Sequence, residues 1–300
     1  MKKFFILASA AIVALASCAK TEVVYKDAPE EIAFKQITGV MTKAAETLTT
    51  DMGVYAYVGN DSYFISTQFA KRDGETTWTA ETPLYWPVSG NVDFYIYAPY
   101  TGVAVSNQSK SSLTFTRSSD DEIDLLYGNI SASKAGGVVE VELKHALSNV
   151  VINVGGTEEV KLYSISLLNS IQKGTGVVTF GATKEVEWTS QSTDVLLSKS
   201  LFASLEGIQV NTTANHVSSL VVPATLTNEQ IEIKYSLGNS GQLTYTTTYD
   251  QLTGNLLGTS WDYGKQYTYN INIGATEIEF TPTVAEWTAG NSGNEDLSLQ

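Results

Sequence analysis

The amino-acid sequence predicts an all-β protein, and three observations support that fold class. Tyrosine is abundant, with 16 of 300 residues, and Thr, Val and Ile are frequent; β-branched and aromatic side chains favour strands. Apolar residues recur at every second position between clusters of Gly, Asn, Ser and Asp, which is the period of a half-buried strand. No segment of about 12 residues or more carries a convincing helical period, and residues 194–206 come nearest to one.

Strands of this period recur along the chain. The clearest predicted strands span residues 53–58, 92–98, 113–116, 160–168, 177–180, 231–237 and 267–273. Asn60-Asp61 is a turn signal that closes the first of these strands, and residues 238–241 favour a hairpin loop. Short strands separated by such turns are typical of β-sandwiches.

A change of parity near Ser148 predicts the boundary between two domains. Apolar side chains and one histidine occupy odd positions before this residue, and apolar side chains occupy even positions after it: Val139, Val141, Leu143, His145 and Leu147, then Val150, Ile152 and Val154. A shift of one residue turns every side chain of a strand to the opposite face. The strand therefore either carries a bulge or crosses from one core to another. We expect two sandwiches, spanning residues 44–147 and 148–300.

The N-terminal segment predicts export. Lys2 and Lys3 precede an apolar run, and small residues precede Cys18, which is the pattern of a lipoprotein signal peptide over residues 1–17. Cleavage would leave Cys18 at the N-terminus, carrying a diacylglycerol and further acyl chains such as palmitate. An ordinary signal peptide that contains a cysteine by chance is the alternative, but Cys18 is the only cysteine of the chain.

Charge and composition exclude several classes of function. Without Lys2 and Lys3, the chain has 16 basic residues against 32 acidic ones, because the full chain has 18 and 32. Such an acidic surface argues against binding to nucleic acid and against electrostatic binding to a membrane. The acyl chains on Cys18 would then be the contact with the membrane. With Cys18 acylated, no disulfide is possible. No apolar run of about 18 residues follows the signal peptide, so we expect no transmembrane helix.

Catalytic motifs are missing from the sequence, so we expect neither an enzyme nor a bound metal or cofactor. It contains no G-x-S-x-G, P-loop, H-E-x-x-H or Cys/His cluster, and no carboxylate pair stands out for sugar hydrolysis. His145 lies on an apolar strand face, which favours a hydrogen-bonded core histidine over a catalytic one. The acidic loop Asp120–Asp124 could bind calcium, but it lacks EF-hand spacing, which favours a solvated loop.

The aromatic cluster Trp78, Tyr85 and Trp86 has two interpretations. Aromatic side chains in a strand-rich protein are most often part of the core. Exposed on the surface, they would form a platform on which sugar rings stack, and Trp78 would then serve an adhesin.

Several short motifs together resemble one protein family, and their order and spacing are more specific than any single motif. The motifs are Leu15–Cys18, Ile32-Ala33-Phe34 before a basic residue, Met52–Tyr57, Tyr85-Trp86-Pro87, Val92–Pro99, Asp124-Leu125-Leu126, Leu143–Ser148, Gly264–Tyr269 and Glu286-Trp287. Together they resemble the fimbrillin family, the subunits of type V pili of Bacteroides-type bacteria. The resemblance covers nearly the whole chain.

That resemblance implies a fold and an assembly mechanism. The fold would be two tandem transthyretin-like β-sandwiches after the signal peptide. The precursor would reach the outer membrane as a lipoprotein, and a trypsin-like protease would cut after a basic residue beyond the first strand. Loss of that strand opens a groove, which a donor strand from the next subunit fills.

Residues 18–43 match the tether and removable strand of this mechanism. Ile32 and Phe34 would be the inward side chains of the strand, and the cut would fall between Lys43 and Ala44. The family usually has arginine at this position. Lysine leaves room for a Lys-specific protease, or for an uncut anchor subunit that stays on the membrane.

The C-terminal segment is the donor candidate. Ile278, Phe280, Pro282 and Val284 occupy even positions, and Trp287 follows. Pro282 is tolerated only where its missing N–H faces no ladder partner. The alternative is that this segment is the last strand of its own domain.

These observations favour a structural subunit of a cell-surface fimbria. Its expected partners are other fimbrial subunits, the outer membrane through the lipid, a processing protease and a host surface. The alternative is a surface lipoprotein adhesin, at a pilus tip or anchor, that binds host glycan or protein without polymerising.

Overall fold

The computed structural model describes residues 29–36, 50–72, 74–156, 159–210, 215–247, 249–250 and 254–287. Cys18, Lys43 and Ala44 lie outside these ranges, so the signal peptide, the lipidation site and the cleavage site stay predictions. The described residues form strands, turns and two short 3₁₀ helices, Lys134–Gly136 and Ser192–Asp194. None of their helices is long and apolar enough to span a membrane. The predicted all-β sandwich class is confirmed.

The first ten strands form the N-terminal part of the protein. In chain order they are β1 (Ala33–Gln36), β2 (Met52–Val58), β3 (Asp61–Lys71), β4 (Trp78–Ala80), β5 (Val92–Ala98), β6 (Ala104–Ser106), β7 (Ser112–Arg117), β8 (Leu126–Ala132), β9 (Val139–Val141) and β10 (Lys144–His145). Eight of them form one sheet in the order β10-β8-β5-β2-β3-β4-β1-β9. Neighbours in this sheet are antiparallel except β1 and β9, which run parallel.

The remaining strands form the second sandwich and extend the first. In chain order they are β11 (Ser148–Gly156), β12 (Val160–Ile171), β13 (Gly174–Thr179), β14 (Val186–Thr189), β15 (Val195–Gln209), β16 (Asn215–Val221), β17 (Ala224–Thr225), β18 (Gln230–Leu237), β19 (Leu243–Thr246), β20 (Tyr249–Asp250), β21 (Gly254–Asn255), β22 (Ser260–Trp261), β23 (Lys265–Ile273) and β24 (Ile278–Glu286). Two four-stranded sheets, β16-β11-β23-β24 and β15-β12-β18-β19, share one apolar core.

The eight-stranded sheet buries apolar side chains on both faces. Along β5, Phe94 and Ile96 lie in one core, whereas Tyr95 and Tyr97 lie in another. Strands of the large sheet itself, including β1, β4 and β9, form the first core. A four-stranded sheet in the order β14-β13-β7-β6 covers the second core. Because both faces are covered, β5 carries large apolar side chains at consecutive positions.

The four-stranded sheet β14-β13-β7-β6 contains strands from both sides of Ser148 in the sequence. β13 pairs antiparallel with β7, from Gly174 opposite Arg117 to Thr179 opposite Ser112, although β12 before it belongs to the second sandwich. The boundary between residues 147 and 148 stays a prediction. The sheet order shows that β13 and β14, within residues 174–189, belong to a sheet of the first sandwich although they follow Ser148 in the sequence.

The parity change near Ser148 coincides with a passage between sheets. β10 ends at His145 in the eight-stranded sheet, and β11 begins at Ser148 between β16 and β23. Val141 therefore lies in the core that contains β1, whereas Val150 lies in the core of the second sandwich. The chain crosses from one core to another, and this crossing accounts for the change of parity.

Two long strands depart from the sequence predictions. Asn60-Asp61 does close β2, but the chain returns at once as the 11-residue β3, with Asp61 opposite Val58. Residues 194–206 come nearest to a helical period, but most of them belong to β15, which spans Val195–Gln209. The pairing of β15 with β12 shifts register twice, and each shift interrupts the strict alternation that identifies a strand.

Candidate functional site

The two segments that the sequence singles out, β1 and β24, occupy different positions in the fold. β1 lies inside the eight-stranded sheet, with β4 on one side and β9 on the other. β24 is the edge strand of a four-stranded sheet and pairs only with β23. β1 is therefore paired with two neighbouring strands, whereas β24 is paired with one.

The inward side chains in β1 and immediately before it are completely buried. Ile32 and Phe34 have 0% exposed surface, whereas Lys35 is exposed on the other face. The ring of Phe34 meets the rings of Phe69 and Phe94 edge to face, with centroids 4.9 Å and 5.1 Å away. Such pairs add to the free energy gained from burial alone. Phe34 therefore fills an aromatic pocket, which we call the Phe34 pocket.

Backbone pairing holds β1 along its whole length. On the β4 side, Ala33 lies opposite Thr79 and Phe34 opposite Trp78. On the β9 side, residues 34–36 lie opposite residues 139–141 in parallel register. Just before the strand, the Ile32 N–H donates to the Leu84 carbonyl at 2.7 Å, and the Trp86 N–H donates to the Glu30 carbonyl at 3.0 Å.

The position of β1 determines what its loss would do to the protein. β4 and β9 are not neighbours in the sheet without it, so both strands would present unpaired N–H and C=O groups to the gap. Phe69, Trp78 and Val139, which are almost fully buried, would line that gap. An open groove with apolar walls and two free strand edges is a template for an extended peptide.

β24 is much less buried. Its even-numbered side chains lie on the core side, where Ile278 and Phe280 are partly buried against the second core. Phe280 stacks on Tyr269 with a centroid distance of 5.7 Å. Farther along the strand, Val284 is 60% exposed. Pro282 lies opposite Tyr269 in this edge strand. The segment thus pairs within its own sandwich, and a donor role stays a proposal.

Trp287 fixes the end of β24 against the first sandwich. Its indole is 4% exposed and stacks on the imidazole of His145, with centroids 3.6 Å apart and planes inclined by 13°. The Trp287 N–H donates to the Gly264 carbonyl at 2.8 Å. Because His145 belongs to β10, this contact joins the C-terminal segment to the eight-stranded sheet.

His145 itself has the role that the sequence favours. Its Nδ1 lies 2.8 Å from Asp124 Oδ2, and its side chain is partly buried. The prediction of a hydrogen-bonded core histidine is confirmed, and Asp124 supplies the partner that the sequence alone does not identify.

The alternative of an exposed aromatic platform is wrong for both tryptophans. Trp78 and Trp86 are buried, and Trp86 packs edge to face on Phe94 with centroids 5.6 Å apart. Only Tyr85 of this cluster is substantially exposed, at 44%. Trp78 cannot stack on a sugar because it belongs to the wall beside β1, where its Nε1 donates to the Thr50 carbonyl at 3.1 Å. The core interpretation is the correct one.

The acidic loop before β8 makes contacts across the two sandwiches. Glu122 accepts a hydrogen bond from the Leu220 N–H at 2.6 Å, and it pairs with the ammonium of Lys199. Arg117 donates to the Gln172 carbonyl at 2.7 Å, and burial lowers the pKa of this guanidinium. Within the described ranges, no group of three or more His, Cys, Asp and Glu side chains could hold a metal ion. The structure assigns Glu122 to an interdomain contact.

Sequence analysis misses the walls of the Phe34 pocket. Phe69 lies in β3, which the sequence does not predict, and β9 is not recognised as the parallel neighbour of β1. The odd-numbered valines Val139 and Val141 are the only signal of β9, and alternation identifies a strand without identifying its partner.

The fold matches known proteins over most of its length. The model of the fimbrillin-like family matches residues 32–287, and no curated protein matches the chain. A Bacteroides uniformis protein provisionally assigned to cell adhesion aligns with a TM-score of 0.58 at 16% identity, covering 86% of this chain and 99% of its own. A fimbrial protein from Bacteroides vulgatus aligns with a TM-score of 0.57 at 16% identity, covering 86% and 99%.

A third solved structure has the same fold. A Bacteroides ovatus protein, also provisionally assigned to cell adhesion, aligns with a TM-score of 0.59 at 15% identity, covering 87% of this chain and 98% of its own. Likeness at such low identity establishes the fold alone. The family match, which covers the region from β1 to Trp287, identifies this chain as a member of the fimbrillin-like family.

Proposed function

We propose that this protein is a structural subunit of a cell-surface fimbria and that proteolysis triggers its assembly by exchange of β-strands. Membership of the fimbrillin-like family supports a fimbrial or adhesive role at the cell surface. The observation that carries the strand-exchange proposal is the position of β1, a four-residue interior strand near the start of the described chain.

The proposed trigger is a cut between Lys43 and Ala44. These residues lie between β1 and β2 in the sequence. After the cut, only non-covalent contacts would hold β1 in the sheet. A donor strand from another subunit could then compete for the groove, because it can form the same main-chain hydrogen bonds.

Lipidation of Cys18 is part of the same proposal. An acylated Cys18 would hold the precursor on the outer membrane until the cut separates residues 18–43 from the rest of the chain. The N-terminal mass of protein recovered from cells distinguishes the two states, because the N-terminus is either acylated Cys18 or free Ala44.

A protease assay tests the assembly mechanism. Lys35 in β1 is exposed, so the assay uses a Lys35→Arg background, in which a lysine-specific protease leaves β1 whole. The precursor is digested and run without boiling on an SDS gel. Cleavage at Lys43 should yield a ladder of SDS-resistant oligomers, and Lys43→Gln should abolish both products. Complete cleavage at Lys43 without a ladder would contradict the proposal.

The non-polymerising adhesin predicts the opposite pattern. Such a protein would bind a host glycan or protein while it remains monomeric, with or without the cut. A glycan array probed with intact and cleaved protein, read beside the protease assay, separates the two functions.

A further inference from the structure

The sheet β16-β11-β23-β24 has one apolar face and one polar, uncharged face. The apolar face packs into the second core through residues such as Val150, Ile152 and Tyr269. Because successive side chains of a strand point to opposite faces, the residues between these lie on the outer side of the sheet. We call the six polar side chains that are exposed or half-buried there the amide face: Asn153, Thr268, Asn270, Asn272, Thr281 and Thr283.

Backbone pairing aligns the amide face in rows that cross three strands. Asn153, Asn270 and Thr281 lie opposite one another, and Thr268 and Thr283 form the neighbouring row. Asn153 Nδ2 donates to Asn270 Oδ1 at 2.7 Å. Successive rows are about 6.6 Å apart, since each residue advances a strand by about 3.3 Å. The strands therefore present amides and hydroxyls at a regular spacing.

The amide face keeps donors and acceptors for a partner. A carboxamide has two donors and an acceptor oxygen with two lone pairs. The contact between Asn153 and Asn270 uses one donor of the first and one lone pair of the second. Asn272 lies outside this contact and is exposed.

The outer face of the other sheet in the same sandwich is different. There β12 and β18 present Lys161, Glu232 and Lys234, and Glu232 pairs with Lys234. Charged side chains of this kind are usual on a solvated sheet face. None of the six side chains of the amide face is charged, although the chain has 32 acidic residues. Glu279, opposite Asn272, borders the face.

We infer that the amide face binds a neutral carbohydrate chain. Hydroxyl groups donate and accept hydrogen bonds, so sugar hydroxyls complement carboxamides and threonine hydroxyls. The face has no aromatic or long aliphatic side chain, which the core of a protein interface requires. The net charge of −14 disfavours anionic glycans. This inference goes beyond the proposed function, because the face is complete within one subunit.

Binding to a single subunit should be weak. The face has no aromatic ring on which a sugar could stack, and hydrogen bonds to the ligand replace hydrogen bonds to water. In the proposed fibre the same face would recur in every subunit. A polysaccharide that contacts several subunits could then bind about 10²–10⁴ times more tightly than it binds one.

Nuclear magnetic resonance of the uncut subunit tests the placement of the site. Lys43→Gln protein is labelled with ¹⁵N and titrated in turn with neutral oligosaccharides prepared from mannan, dextran and galactan. We expect the side-chain NH₂ signals of Asn153, Asn270 and Asn272 to shift in at least one titration. The signal of Asn129, which is exposed on β8, should not move. Oligogalacturonate, an acidic counterpart, should leave all four signals unchanged.

Two matched variants distinguish a binding face from a ladder that only supports the sheet. Asn272→Ala removes an exposed amide and leaves the contact between Asn153 and Asn270 in place. It should weaken binding about fivefold, as for the loss of one hydrogen bond. Asn129→Ala should leave binding unchanged. Retardation in native gels that contain the neutral polysaccharide measures the affinity of both variants.

The outcomes distinguish this inference from the proposed function. No shift and no retardation with any of the three neutral glycans overturns the inference. Binding that Asn272→Ala leaves unchanged, with shifts outside the amide face, overturns the placement. Concentration-dependent shifts of the same amides without glycan would assign the face to a second copy of the chain and would also overturn the inference. None of these results depends on the oligomer ladder after cleavage, which tests the proposed function separately.

Discussion

The segments Glu31–Phe34 and Glu277–Phe280 share Glu, Ile and Phe at the same spacing, yet they are buried to very different extents. Phe34 is enclosed by Phe69 and Phe94 with 0% exposure. Phe280 stacks on Tyr269 and remains partly exposed at the edge of its sheet. The difference in burial follows from the number of neighbouring strands, which is two for β1 and one for β24, and from the side chains that surround each phenylalanine. Two segments of similar sequence are therefore fully buried at one end of the chain and only partly buried at the other.

The largest difference between the two ends should appear when each phenylalanine is truncated in the uncut chain. Phe34→Ala should lower the free energy of unfolding by about 4 kcal/mol, because it leaves a cavity in a closed aromatic pocket. Phe280→Ala should cost about 1–2 kcal/mol, since a half-buried side chain loses less burial. Urea denaturation of both variants measures the difference. Equal losses of unfolding free energy would contradict the view that Phe34 is enclosed more tightly than Phe280.

Trp287 should be the main anchor of β24. Trp287→Ala should cost about 3 kcal/mol, because a buried aromatic side chain is lost. Limited proteolysis should then cut the C-terminal segment faster, while β1 stays protected. In a double-mutant cycle with His145→Ala, the stacked pair should show a coupling energy of about 1 kcal/mol. The exposed Tyr85→Ala serves as the control, and the same proteolysis rate in Trp287→Ala and the parent would exclude an anchoring role.

Alkaline pH should weaken the second sandwich beneath β24. Burial raises the pKa of Tyr269 above its ordinary value of 10.0, so the folded state favours the neutral phenol. The resulting stability is present below pH 10 and is lost as the pH rises above it. The core around Phe34 has no tyrosine among its described residues.

Tyr269→Phe isolates this contribution to the pH dependence. At pH 8 the variant should be less stable by about 1–3 kcal/mol, because the Tyr269 hydroxyl bonds Trp261 Nε1 at 2.8 Å and the Leu257 carbonyl at 2.7 Å. Between pH 9 and pH 11 it should lose less stability than the parent does. Urea denaturation across this range measures both effects, and an identical alkaline loss would contradict the assignment.

The smallest effect is expected at the exposed end of β24. Val284→Thr should change stability by no more than about 0.5 kcal/mol, because the side chain is already in contact with water. The same substitution in the wall of the groove, Val139→Thr, should cost about 1–2 kcal/mol, since it buries a hydroxyl. Similar losses at the two valines would show that β24 is as enclosed as β1.

Sequence analysis could predict the elements whose pattern is local. Period-two alternation identifies β5 and β23. The parity change near Ser148 indicates either a bulge or a crossing between cores, and the structure has the crossing. Ile32 and Phe34 are recognised as inward side chains because Ala33 and Lys35 alternate with them. Each of these predictions needs only neighbouring residues.

Long-range pairing could not be predicted in the same way. Nothing in residues 174–179 indicates that β13 pairs with β7 across a sandwich boundary, because alternation describes a strand and not its partner. The register shifts between β12 and β15 also hide a strand of 15 residues. The sequence favours a core position for Trp78, but it does not identify β1 and β3 as the neighbours of its strand.

The placement of β13 and β14 in the first sandwich has a mechanical consequence. Besides the link before β11, the chain crosses between the sandwiches after β12 and again before β15. A single link would let the two sandwiches bend about a hinge, whereas three separate crossings resist bending and twisting. In the proposed fibre, each subunit would therefore behave as a stiff rod under tension. Flexibility would be confined to the joints between subunits, and it would be set there by the short donor strand.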